Sequence, residues 1–152
     1  MKTVPEAVTS QRAAAACVVA FFETLSPASL DQLEAIYTPL AYFKDPFNEV
    51  RGIHEIRRIF SHMYASLEQP RFVVTSCIVD GDQCFLSWNF SFRFKRFDRA
   101  TWQTVRGASH LKFNADGRID FHRDYWDAAE ELYERLPVVG GLMRWLKQRA
   151  RR

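Results

Sequence analysis

The chain has 152 residues, of which 47% are hydrophobic and 26% charged, the balance of one folded globular domain rather than a disordered chain. Its net charge of +3 is unevenly placed: residues 135–152 carry six basic side chains and no acid, and taking those six from the 21 basic residues leaves 15 against 18 acidic ones. A mildly acidic body excludes a nucleic-acid-binding domain, which would present a basic face. Three cysteines, Cys17, Cys77 and Cys84, without C-x-x-C spacing exclude a disulfide framework and fit a reducing compartment, so the expected location is the cytoplasm. The apolar run 13–22 starts too far from Met1, and meets Glu23 too soon, to be a secretory signal, and nothing has the length of a membrane-spanning helix.

Residues 5–25 are alanine-rich, with Val8, Ala15, Val18, Phe22 and Leu25 near helical period, and predict a first helix ended by Ser26-Pro27. Ser29 can cap a second helix to about Tyr37, which Pro39 would stop. Residues 42–47 are expected to be extended, because Asp45 precedes a proline, with Val50-Arg51 pairing back on them. Gly52 opens a third helix to Leu67, whose stripe is Ile53, Ile56, Ile59, Phe60 and Met63.

Beyond Pro70 the period changes to two. Strands are predicted at 72–79, 84–94, 102–113 and 119–126, with turns at Asp80-Gly81-Asp82 and Asn114-Ala115-Asp116-Gly117. In the second strand Cys84, Leu86, Trp88, Phe90, Phe92 and Phe94 share a face. In the last, Asp120, His122, Asp124 and Trp126 share one face, and Ile119, Phe121, Arg123 and Tyr125 the other. Asp127 can cap a helix over 128–136; Pro137 and Gly140-Gly141 would interrupt it before a short helix at 142–149. Helices followed by a strand meander make the fold class α+β in a single domain.

This order, with Asp45-Pro46 after two helices and an aromatic strand set ending in Asp124-Tyr125-Trp126-Asp127, resembles the nuclear transport factor 2-like superfamily. Within it, the chain is similar to the SnoaL-like domains related to polyketide cyclases and ketosteroid isomerases. The resemblance implies a conical cup over 1–127, a curved antiparallel sheet wrapped around N-terminal helices. Residues 128–152 would then be a basic, amphipathic C-terminal helical extension. It also implies a homodimer through the outer sheet face, a hydrophobic small molecule as partner, and chemistry without metal or organic cofactor.

The same resemblance assigns the site. Asp45 falls on the aspartate that shuttles protons in ketosteroid isomerases, and His122 with Asp124 would face the cavity as an acid–base pair. Phe21, Tyr42, Leu86, Trp88, Phe90, Ser109 and Trp126 are the expected ligand-binding residues. The isomerase oxyanion hole needs a tyrosine and a protonated aspartate where this chain has Phe21 and Ser109, so a true ketosteroid isomerase is not expected.

Residue chemistry alone leaves plainer roles open. Asp45 can be a turn residue accepting nearby amides, and the His122–Asp124 pair can merely orient a ligand. No H-x-x-x-H or C-x-x-C spacing supports a metal site. The expected function is therefore a small-molecule-binding domain capable of cyclase, isomerase or dehydratase-type proton transfer. The alternatives are a non-catalytic carrier or sensor of a hydrophobic ligand, or a protein-interaction module. The basic tail could touch an anionic membrane, but packing across the cup's mouth or a partner is the preferred expectation, because Pro137 and the glycine pair would shorten any interfacial helix.

Overall fold

The computed structural model describes residues 6–96, 98–132 and 139–150. Helix α1 (Glu6–Glu23) leads through a 3-10 turn (Pro27–Gln32) and the single turn α2 (Leu33–Ile36) into strand β1 (Tyr37–Lys44). Strand β2 (Glu49–Arg51) folds back on β1, and α3 (Ile53–Ser66) follows. The long strands are β3 (Leu67–Asp80), β4 (Gln83–Phe94), β5 (Gln103–Phe113) and β6 (Ile119–Tyr125), after which come α4 (Ala128–Glu131) and α5 (Val139–Ala150).

One six-stranded sheet runs in the order β2-β1-β6-β5-β4-β3. It is curved but unclosed, with the helices filling its concave side. The expected antiparallel sheet needs one correction: β1 lies parallel to β6, joined by the register Phe43↔His122 and Lys44↔Arg123. A long excursion through α3 and four strands separates the two in sequence, and such a path can return in the same direction.

Three further expectations are corrected. The second helix expected from Ser29 to about Tyr37 is a 3-10 turn over Pro27–Gln32 followed by a single α turn ending at Ile36, and Tyr37, two residues before Pro39, is already extended (φ −110°, ψ 149°). Strand β3 begins at Leu67 and runs through Pro70, where an irregularity between Glu68 and Arg71 and a left-handed Gln69 (φ 51°) absorb the ring; on an edge strand the missing amide disturbs no inner ladder. Helix α5 includes Gly140 and Gly141 rather than starting after them. The end of the helix expected over 128–136, and Pro137, lie outside the described residues.

The core is where α1, α2 and α3 meet the concave face of the sheet. Val18, Leu33, Tyr37, Ile56, Cys84, Leu111 and Ile119 are fully buried there. Along β4 burial follows the expected alternation, with Cys84, Leu86, Trp88 and Phe92 inside. At the β5–β6 turn Asn114 accepts from the amides of Asp116 and Arg118 through its side chain, and Gly117 takes φ +77°. That turn sets the register that places Asp124 opposite Ser109.

Candidate functional site

The concave face encloses an open cavity of about 320 Å³, walled by aromatic and aliphatic side chains from every major element. Phe22 comes from α1, Phe43 from β1, Phe60 and Met63 from α3, and Phe72 from β3. Leu86, Trp88, Phe90, Phe92 and Phe94 of β4 form the longest wall. The polar lining residues are Asp45, Asn48, His62, Ser66, Ser109, His122 and Asp124, and of these Ser109 from β5 and His122 and Asp124 from β6 are joined by hydrogen bonds deep on the sheet. Cavities of this size and chemistry suit small ligands that are mostly apolar with few polar atoms.

Ser109, His122 and Asp124 belong to one hydrogen-bonded chain. Trp88 Nε1 donates to Ser109 Oγ at 2.8 Å, and Ser109 Oγ donates to Asp124 Oδ1 at 2.5 Å. From the other side His122 Nε2 lies 2.7 Å from the same oxygen, and His122 Nδ1 lies 2.7 Å from the Tyr37 hydroxyl. A carboxylate accepts, so Nε2 is the donor to Asp124; the assignment that uses the Tyr37 hydrogen, which has no other partner among the described residues, has that hydroxyl donating to Nδ1. Burial, and then the charge of Asp124, hold the Tyr37 phenol well above its ordinary pKa, so it stays protonated and able to donate.

Two arms of donors thus converge on one carboxylate oxygen. His122 is buried, and its ring is fixed by a parallel stack with Tyr37 at 6.0 Å and by the edge of Phe22 at 5.8 Å. The Asp124 side chain keeps 18% exposure and its Oδ2 has no hydrogen-bond partner among the described residues. Asp124 lines the cavity, and also an open depression beside it formed with Lys44, Pro46 and Arg123.

Asp45 also lines the cavity, but as part of a turn. Its Oδ1 accepts from the amides of Phe47 and Asn48 at 2.7 and 2.6 Å, and both oxygens accept from Asn48 Nδ2 at 3.0 Å. Trp126 stands near this turn with its ring against Phe47 at 5.4 Å, and Leu132 closes the wall beyond it.

Two expected ligand-binding residues are placed elsewhere. Phe21 is buried against Phe22 within the core, and the neighbouring Phe22 takes the cavity side because consecutive helical residues point about 100° apart. Tyr42 points to the outer face of β1, donating to Glu49 Oε1 at 2.8 Å and stacking on Phe121 at 5.1 Å, while the alternate residue Phe43 faces in. The remaining expected residues, Leu86, Trp88, Phe90, Ser109 and Trp126, line the cavity with Asp45, His122 and Asp124. No group of three or more His, Cys, Asp or Glu side chains could hold a metal ion among the described residues.

Two contributors escape a sequence pattern. Tyr37 sits at the expected end of a helix, and Pro39 constrains only Thr38, so no local signal marks Tyr37 as a strand residue. Gly107 lies opposite Trp88, and a Cβ there would fall 2.3 Å from the indole, so the glycine gives Trp88 its place over the sheet.

A curved sheet folded around helices with an aromatic cavity defines an α+β cup of the nuclear transport factor 2-like class. The SnoaL-like domain model matches residues 18–122, and the chain belongs to that family. Solved structures agree on the fold. A hypothetical protein of ketosteroid isomerase-like fold from Catenulispora acidiphila, in complex with trimethylamine, is 20% identical, with 86% of this chain and 92% of that one covered at a TM-score of 0.63. An LEH-like epoxide hydrolase of M. tuberculosis is 16% identical, covering 95% and 96% of the two chains at 0.67. A protein described as a SnoaL-like polyketide cyclase, from Jannaschia sp. CCS1, is also 16% identical, covering 86% and 94% at 0.68. No curated protein matches the chain.

Proposed function

We propose that this protein binds a mainly apolar small molecule carrying one hydrogen-bond donor, and that Asp124 exchanges a proton with it. The observation behind this is the convergence of two donor arms on Asp124 Oδ1, which leaves Oδ2 as the unengaged acceptor of a side chain that lines an aromatic cavity. Donors preplaced on one oxygen hold the carboxylate in a single orientation, so a bound O–H or acidic C–H would meet Oδ2 without reorganisation. Proton removal at one position of a ligand and return at another is the step shared by isomerisation, cyclisation and dehydration. Asp45 suits the base role less well because both of its oxygens already accept from the turn it caps.

In this reading His122 acts through Asp124, as a donor wired to Tyr37, and not as a second base. A non-catalytic carrier would use the same contacts and differ only in returning its ligand unchanged. With three free cysteines the protein is assigned to the cytoplasm, although the chemistry would serve elsewhere.

The test compares naphthol with its methyl ether, two apolar bicyclic probes of nearly equal shape that differ in one donor. Fluorescence titration should show the native protein preferring naphthol by about tenfold, the size of a hydrogen bond to a charged acceptor, and Asp124→Asn should bring the ratio close to unity. Equal affinities in the native protein, or a preference that survives Asp124→Asn, would contradict the assignment.

A further inference from the structure

We propose that helix α5 docks on an anionic lipid surface. Its residues Leu142, Trp145 and Leu146 are 54%, 50% and 45% exposed, among the most open large apolar side chains of the protein. They sit at i, i+3 and i+4, which places them on one stripe of the helix. Arg149 continues that stripe one turn on, with its guanidinium 4.9 Å from the Trp145 ring. The principal contact of α5 with the rest of the described residues is through α4, so the stripe faces outward from the cup. Gly140 and Gly141, expected to break an interfacial helix, lie inside it.

Charge identifies the surface that would cover this stripe. Residues 135–152 hold six basic residues and no acid, whereas the rest of the chain has an excess of acid. An anionic surface would draw in this end and repel the body, which fixes the orientation as well as the attraction. Trp145 paired with Arg149 matches the chemistry of the headgroup layer: an indole at the boundary, and a guanidinium whose stem lies on apolar surface while its head reaches a phosphate. Twelve residues make a helix of about 18 Å, too short to cross a hydrocarbon layer of about 30 Å, so α5 would lie in the plane of the surface. Among the described residues no helix is long and apolar enough to cross a membrane. Leu132 in the cavity wall precedes α5 by only seven positions, so docking would hold the cavity close to the apolar phase.

Sedimentation of the full chain with vesicles tests this independently of what the cavity holds. Binding to phosphatidylcholine vesicles containing phosphatidylglycerol is expected to exceed binding to phosphatidylcholine alone by about tenfold or more, and to weaken as salt is added. Trp145 emission should shift to the blue on binding, a change absent in Trp145→Phe. The double variant Leu142→Glu, Leu146→Glu should lose about tenfold in binding while its circular dichroism and thermal midpoint stay native, since both side chains are exposed. Absence of binding to the phosphatidylglycerol vesicles, or binding that survives the double variant, would overturn the proposal. So would a dimer that the double variant splits without any vesicle binding, which would assign the stripe to a second copy.

Discussion

At the scale of single residues, the site depends on an asymmetry within one carboxylate. Oδ1 of Asp124 receives Ser109 and His122, and Oδ2 receives neither. Tyr37 is the far end of this wiring and has no contact with the cavity, so its effect should be positional. Tyr37→Phe removes the donor to His122 Nδ1 and should cost about 1 kcal/mol near neutral pH by urea denaturation. The cost should shrink as pH rises. Burial raises the phenol's pKa in the folded state, so the folded protein holds that proton more tightly than the unfolded chain. Stability from this group is therefore complete below about pH 10, the unfolded value, and is lost as pH climbs toward the folded one. A difference between native protein and Tyr37→Phe that stays constant up to about pH 11 would refute this account of the hydroxyl.

Tyr37 also shows where sequence reasoning stopped. Leu33 to Tyr37 carries no strand alternation, and Pro39 can be taken equally as the end of a helix or as the cause of extended backbone upstream. Only the partner strand decides, and β6 is more than eighty residues away. Asp124 and His122 were easier to find, because residues two apart in a strand share a face whatever lies across from them. Which oxygen each donor would reach was illegible, since that depends on the cross-strand register Ser109↔Asp124.

At the scale of elements, β4 and β5 act as a matched pair. Trp88 lies across from Gly107, and its indole occupies the space where a side chain would project. The alternation of β4 put Trp88 on the aromatic face and the family resemblance turned that face inward, but nothing local indicated that a glycine nineteen positions later makes room for it. Gly107→Ala would place a methyl 2.3 Å from a buried ring that is hemmed in by Phe72 at 5.5 Å. The indole must move, so the Trp88–Ser109 bond should break and stability should fall by about 1–3 kcal/mol. Trp88→Phe, Gly107→Ala should recover much of that loss without restoring the bond, because the smaller ring relieves the clash. A single variant as stable as the native protein would show that the contact at Gly107 does not hold Trp88 in place.

At the scale of the whole molecule, the outer face of the sheet also carries an aromatic row. Phe85 stacks on His110 at 4.3 Å, His110 meets Phe121 at 5.3 Å, and Phe121 stacks on Tyr42 at 5.1 Å. Ile78 and Phe85 remain 64% and 45% exposed on the neighbouring strands. An apolar row of this extent is suited to a second copy of the chain, the interface that membership of the superfamily led us to expect. Ile78→Glu, Phe85→Glu should then sediment as a monomer while the native protein sediments as a dimer. Native and variant chains of equal sedimenting mass would leave this face without that role. Period and turn chemistry made the α+β order of elements readable at this scale, and the resemblance to the superfamily supplied the cup. The parallel β1–β6 pairing was not readable, since strand direction follows from the path between strands and not from either strand's own residues.

Everything proposed for the cavity rests on the direction of the bonds that meet at Asp124, and the protonation pattern of His122 reports that direction. Nitrogen–proton correlation spectra of the uniformly labelled protein separate the two ring nitrogens by chemical shift. We predict that His122 Nε2 carries the proton and that Nδ1 is an unprotonated acceptor for Tyr37, with the Nδ1 shift moving and the Nε2 proton kept in Tyr37→Phe. An Nε2 without a proton in the native protein would reverse the bond to Asp124 and contradict the central claim.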